Sequence, residues 1–220
     1  LSKELLYDQK RQSMSEETLE TYVKNFLAAS PDGDVTMLWQ GGEPTLRGLP
    51  FFERLIELCE KYRRPAQVVH HAVQTNGTLI TEQWARFFKD NDVLVGISID
   101  GPAPLHDAYR LNRGGHGTHS MVIRGWEQLR NAEVDTNILC TVHAANEDHG
   151  LEVYRYFRDE LGAQYMQFIP IVERVPREHL RQAELGWRSG SSALLYRQDG
   201  DCVTSRSTTP SSYGRFLSDI

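Results

Sequence analysis

The chain has 220 residues, of which 40% are hydrophobic and 25% charged, and a net charge of −6. That is enough apolar material for one full-sized domain, and an acidic balance without a basic stripe argues against a nucleic-acid partner. No apolar run reaches the length of a membrane span, so no membrane partner is expected.

Ser15 reads as an N-cap, with Glu16 and Glu17 in the first turn and Met14 placed to staple against Leu19, so a helix is predicted to about Ala29. Asp34 to Trp39 is a short apolar run after a Pro-Asp-Gly turn and reads as a strand. Pro50 opens a helix through Tyr62, with Phe51, Leu55, Leu58 and Cys59 on one face. Gln67 to Val73 is the next strand. Thr81 caps a helix with Trp84, Phe87 and Phe88. Val93 to Ile99 is almost wholly apolar, as expected of a parallel strand buried on both faces. A helix over Ser120 to Asn131, a strand over Asp135 to Val142, a helix over Leu151 to Leu161 ended by Gly162, and a strand over Tyr165 to Ile169 complete the alternation.

Five strands alternating with helices imply an α/β fold with a parallel sheet and right-handed crossovers, either an open doubly wound sheet or a barrel. Residues 176–210 are polar and read as an insertion or loop, mobile and on the surface, including the Ser-rich stretch near 188–192. Residues 211–220 read as the start of a further helix, truncated and with no partner in the chain. The first residue, Leu1, is not Met, which suggests a fragment, and no signal peptide is visible. Cys59, Cys140 and Cys202 are dispersed, which fits a reducing cytoplasm better than a disulfide framework.

Ligands of parallel α/β sheets bind beyond the carboxyl ends of the strands. Those ends are Gln40-Gly41-Gly42-Glu43-Pro44, Gln74-Thr75-Asn76-Gly77, Ser98-Ile99-Asp100, Thr141-Val142-His143 and Gln167-Phe168-Ile169-Pro170. The glycine pair lets a ligand press against the backbone, and the carbonyls there with Glu43 suit a cationic amine; a tight turn explains the same pair. Ser98 and Arg110 could hold a carboxylate, whereas a surface ion pair with Asp100 or Asp107 is the plainer role for Arg110. His70 and His71 adjoin on a strand and point to opposite faces. His143, His149 and Asp148 fit no strong metal motif, so no metal is assigned. Lysine is absent from all five ends, which counts against a Schiff-base lyase.

Several runs together resemble the anaerobic sulfatase-maturating enzymes of the radical S-adenosylmethionine (SAM) superfamily, over about residues 40–175. They are Gln-Gly-Gly-Glu-Pro-Thr-Leu (40 to 46), Gln-Thr-Asn-Gly-Thr-Leu (74 to 79), Val-Gly-Ile-Ser-Ile-Asp-Gly-Pro (95 to 102), Leu-His-Asp-x-Tyr-Arg (105 to 110), Val-Tyr-Arg-Tyr-Phe (153 to 157) and Gln-Phe-Ile-Pro-Ile-Val-Glu (167 to 173). The resemblance implies a partial (β/α)6 barrel over 1–175 with five of its parallel strands present. It implies SAM binding by Gln40, Gly41, Gly42, Glu43, Ser98 and Arg110, with Val172 near the adenosyl part. Gln74, Asn76 and Gln167 become candidates for contact with substrate.

The implied activity is oxidation of a cysteine or serine of a sulfatase polypeptide to Cα-formylglycine, with a [4Fe–4S] cluster, SAM and an external electron donor. The family's Cys-x3-Cys-x2-Cys motif is expected just before Leu1 and the auxiliary-cluster domain beyond the last residue, so the cluster cysteines and the proton acceptor are expected outside this chain. The chain alone is then expected to be inactive. Two other readings stay open: a radical SAM enzyme acting on a different peptide, and a non-catalytic remnant that binds SAM or a partner.

Overall fold

The computed structural model describes residues 13–184 and 200–220. Strands β1 (Gly33–Trp39), β2 (Gln67–Thr75), β3 (Val93–Ser98), β4 (Thr136–Val142) and β5 (Met166–Pro170) form one sheet in chain order. β1 with β2, β2 with β3 and β4 with β5 pair in parallel. The order separates the two architectures that periodicity left open. A doubly wound sheet reverses its strand order at a switch point, whereas a barrel adds each strand on the same side, as here. By contacts the described chain divides into two compact units, 13–97 with 122–136 and 98–121 with 137–184 and 200–220.

In the first unit, helix α1 (Glu16–Ala29) starts at Ser15, whose Oγ accepts the Thr18 N–H at 3.2 Å, and buries Leu19, Val23 and Leu27 at four-residue spacing. Helix α2 (Leu49–Tyr62) carries Pro50 in its first turn and buries Phe52, Leu55, Leu58 and Cys59, with Phe51 only half-buried. Helix α3 (Glu82–Asp90) is capped by Thr81 and buries Trp84, Ala85 and Phe88. In β1, Val35 and Met37 are buried while Thr36 and Leu38 are exposed. Strand β3 departs from this alternation. Val95, Gly96 and Ile97 are buried in succession, as expected, and only Leu94, 43% exposed, breaks the run; its register partner Ala72 pairs with Leu38, which puts these residues on one face of the sheet.

Helix α4 (Ala103–His106) belongs to the second unit, and α5 (His119–Asn131) follows it. Helix α6 (Gly150–Arg155) passes into a π turn over Tyr156–Glu160, and the chain leaves it at Gly162 with φ +65°. The polar stretch beyond β5 is more ordered than its composition suggested. Strands β6 (Arg174–Val175) and β7 (Cys202–Val203) pair antiparallel, and helix α7 (Leu180–Glu184) adds Ala183 to a small core with Val175. Arg206 pairs with Glu173, and Thr204 Oγ1 donates to the same carboxylate at 2.7 Å. The Ser-rich run near 188–192 lies outside the described residues.

The last helix corrects a further expectation. Helix α8 (Pro210–Ser218) is capped by Thr209, buries Phe216 completely and donates Tyr213 Oη to the Phe168 carbonyl at 2.8 Å. It therefore has a partner in β5. Gly150 fits against the Phe216 backbone, where a Cβ would clash.

Candidate binding site at the strand ends

In the first unit the loop after β1 turns through Gly41 at φ +91° and Gly42 at φ +60°, backbone conformations that favour glycine. Both are exposed, as is Gln40, and a Cβ at Gly41 would meet nothing within 4 Å. Glu43 is 8% exposed and its carboxylate is committed to four donors of the chain itself. Oε1 accepts Thr45 N (3.1 Å), Thr45 Oγ1 (2.6 Å) and Thr75 Oγ1 (2.7 Å), while Oε2 accepts Asn76 N (2.8 Å). The role of ammonium acceptor that the sequence suggested for Glu43 thus gives way to that of a clamp. It ties the glycine loop to the end of β2, and the exposed backbone of Gly41 and Gly42 is what a ligand can reach. Asn76 is spent on a local turn, with Oδ1 accepting Thr78 N and Thr78 Oγ1 at 3.0 and 2.7 Å. Gln74 is half-buried in β2.

The second unit builds its site around Asp100, which is 2% exposed. Arg110 donates Nε to Oδ2 and Nη2 to Oδ1 (3.0 Å), a side-on bidentate pair, and Thr141 N also donates to Oδ1 (2.8 Å). Arg110 Nη2 also donates to Thr141 Oγ1 at 3.2 Å. The plainer expectation for Arg110, an ion pair at the surface, is half right: the partner is Asp100, but that carboxylate is buried and Arg110 is 26% exposed. Asp107 does something else, accepting the His119 N–H at the start of α5 at 2.8 Å. Burial alone would raise the Asp100 pKa. The charge of Arg110, its hydrogen bonds, the nearby His143 and the Thr141 N–H outweigh it and hold the carboxyl well below the usual range.

Three side chains lock this centre. Asn146, fully buried, donates Nδ2 to the carbonyls of Asp100 and Thr141, each at 2.9 Å. His143 accepts the Ala145 N–H on Nδ1, which leaves its proton on Nε2, 3.7 Å from Asp100 Oδ2. His106, fully buried, accepts Asp100 N on Nδ1 at 3.2 Å and faces Thr118 Oγ1, which donates to the Arg110 carbonyl at 2.9 Å.

Burial pushes the His106 pKa down to about 4 from 6.5. The unfolded chain therefore binds the extra proton first as pH falls. This residue's share of stability is whole above the unfolded value and is lost between about 6.5 and 4. The expected result is that His106→Gln flattens this part of the stability profile, read as urea midpoints across that window; an unaltered slope would mean the imidazole stays charged when buried.

Ser98 is half-buried at the end of β3, Gln167 is exposed on β5, and Val172 is 48% exposed. The histidines divide as their spacing indicated: His70 bonds Asp34 at 2.8 Å, while His71 is half-buried. His143, His149 and Asp148 are drawn apart by separate partners, His149 to Glu152 and Asp148 to Arg215. The cysteines do not make an iron–sulfur site among themselves. Cys59 lies in α2 against Met37, Cys140 is buried in β4 and Cys202 is in β7. Burial raises the Cys59 thiol to about 12 and pushes Cys140 up as well, the opposite of what a thiolate ligand needs. Among the described residues no group of three His, Cys, Asp or Glu side chains could hold a metal ion.

The sequence places Asp100, Thr141 and His143 at strand ends but does not single out the cluster that they form with His106 and Asn146. The available signal was position: Asp100, Thr141 and His143 stand at carboxyl ends of strands, and Asp100 is a lone acid directly after an apolar run.

Comparison with known proteins follows the same residues. The chain is 35% identical over 207 residues to the serine-type anaerobic sulfatase-maturating enzyme of Bacteroides thetaiotaomicron, covering 94% of this chain and 48% of that one. It is 41% identical over 165 residues to the cysteine-type enzyme of Clostridium perfringens, covering 75% of this chain and 44% of that one. A solved structure described as native anSMEcpe with bound AdoMet and Cp18Cys peptide superposes with a TM-score of 0.76 at 35% identity, over 93% of this chain and 50% of that one. The chain thus spans about half the length of these relatives. A family model described as the radical SAM superfamily matches residues 6–157, the stretch that holds both the glycine loop and the Asp100 centre, and the chain belongs to that superfamily.

Proposed function

We propose that this protein is a radical SAM oxidoreductase that converts a cysteine or serine of a sulfatase polypeptide to Cα-formylglycine. The observation that carries the reading is the loop after β1, where two glycines in left-handed conformations expose their backbone and are pinned by Glu43. Such a loop suits a ligand with an ammonium group, and an arginine with its side-on edge already occupied suits one with a carboxylate. SAM carries both. The similarity to sulfatase-maturating enzymes of both the serine and the cysteine type supports the substrate class and leaves both target residues in it.

When bound, SAM supplies the radical chemistry that removes hydrogen from the target side chain. The residues of this chain bind and orient. In this reading the first unit offers the backbone of Gly41 and Gly42 with Gln40 to an ammonium group, and the second offers Ser98 and Arg110 to a carboxylate and Val172 to an adenosyl group. Gln74 and Gln167 stay candidates for contact with the polypeptide substrate, and Asn76 only through its amide nitrogen, since its Oδ1 is held in the local turn. The [4Fe–4S] cluster of the family does not fit the cysteines present here, of which the buried Cys59 and Cys140 thiols are pushed away from the thiolate form. An external electron donor and a cytoplasmic setting belong to the same reading. Among the described residues, no helix is long and apolar enough to cross a membrane.

The full-length protein, purified without oxygen, is expected to form an aldehyde on a sulfatase-derived peptide given SAM and a reductant, detected by hydrazide capture and mass spectrometry. SAM cleavage with no aldehyde on either the serine or the cysteine peptide would point to another peptide substrate.

A further inference from the structure

We propose that Asp100 is a positioning residue and Thr141 a ligand contact, and that with Arg110 they form a preset seat for the carboxylate of an amino-acid-like ligand. The inference rests on the SAM reading above. A guanidinium has five N–H donors. Here Nε is spent on Asp100, and Nη2 is spent on Asp100 and Thr141 Oγ1. Nη1 makes no hydrogen bond among the described residues, so the one nitrogen left to a ligand is fixed by how Asp100 holds the other two.

Thr141 is set by the same carboxylate, because its N–H donates to Asp100 Oδ1 at 2.8 Å. Its hydroxyl oxygen accepts from Arg110, which leaves the hydroxyl proton to donate elsewhere. Two donors suited to an anion, Arg110 Nη1–H and Thr141 Oγ1–H, are therefore tied to one buried acceptor. That acceptor is itself fixed through its backbone, by Asn146 on its carbonyl and His106 on its N–H.

Charge alone would argue against such a design. A site that needed only positive charge would leave Arg110 unpaired, since Asp100 cancels most of what the guanidinium offers at a distance. What Asp100 supplies is geometry: a long side chain that would otherwise lose rotamer freedom on binding is ordered beforehand.

The test compares SAM with decarboxylated SAM, which lacks only the carboxylate, as calorimetric ligands of the full-length protein and its variants. The wild-type protein is expected to prefer SAM. Asp100→Asn is expected to reduce that preference about tenfold, the scale of a charge-assisted hydrogen bond, and Thr141→Val, which keeps the backbone N–H and the side-chain shape, by a few-fold. A general loosening of the fold would weaken both ligands alike and leave the ratio unchanged. An unchanged or increased preference in the folded variants would overturn the proposal, and if Asp100→Asn does not fold, Thr141→Val decides alone. No preference in the wild-type protein would remove the SAM reading itself, and the seat with it.

Discussion

Replacing Arg110 with methionine is expected to destabilise the protein by about 3–5 kcal/mol at neutral pH, the usual cost of breaking a buried ion pair from one side. The reason is Asp100 rather than the lost arginine. Its carboxylate is 2% exposed, and without Arg110 it keeps the Thr141 N–H and the more distant His143 but no full opposing charge. Removing both charges should therefore be milder than removing one. The double variant Asp100→Asn with Arg110→Met is expected to recover a large part of the loss in urea denaturation. Equal stability of the single and double variants would show that the carboxylate is satisfied without its partner.

The pH dependence of the same variant has a fixed sign. In the wild-type protein Asp100 has a depressed pKa, so its contribution is present above the unfolded carboxyl value and is lost as pH falls through the folded one. In Arg110→Met, burial acts without the arginine and the carboxyl rises. Protonation then relieves the buried charge, and the gap between variant and wild type is expected to shrink as pH is lowered from neutral. The His106 contribution shifts in the same direction, because burial holds its pKa down with help from the Arg110 charge, and without Arg110 the imidazole is protonated more readily.

The elements that local chemistry determines were legible in the sequence. Ser15 and Thr81 as caps, the four-residue spacing of Leu19, Val23 and Leu27, and the glycine at 162 each act within one or two turns of chain, so reading the neighbours sufficed. The carboxyl ends of the strands were legible for the same reason, because a strand followed by Gly-Gly or Asn-Gly announces its own end. What could not be read was pairing at a distance. Whether Arg110 meets Asp100 at the surface or beneath it depends on Thr141, which enters from β4 thirty-one positions later. The small core of Val175 and Ala183 is closed by a β7 strand of only two residues, too short to leave a periodic signal. Helix α8 looked partnerless because its partner, Phe168, is a single aromatic on a strand whose other residues gave no hint of it.

Glu43 shows the same limit most sharply, and its replacement by alanine is the second change expected to cost most, about 2–4 kcal/mol. The carboxylate gathers Thr45 from its own loop with Thr75 and Asn76 from the end of β2. The two hydroxyls can rotate to other acceptors. The N–H groups of Thr45 and Asn76 cannot, and one leads the turn that carries Thr45 while the other ends β2. Without the clamp the Gly41–Gly42 backbone is free to relax, since among the described residues a Cβ at Gly41 would meet nothing within 4 Å. Glu43→Gln keeps an acceptor for Thr45 but sets an amide N–H against that of Asn76, so an intermediate loss is expected. Urea denaturation with the binding of SAM measured on the same samples separates two consequences: the clamp predicts that affinity falls in the order wild type, Gln, Ala, in step with stability. A variant as stable as the wild type that bound SAM poorly would instead return Glu43 to direct contact with the ligand.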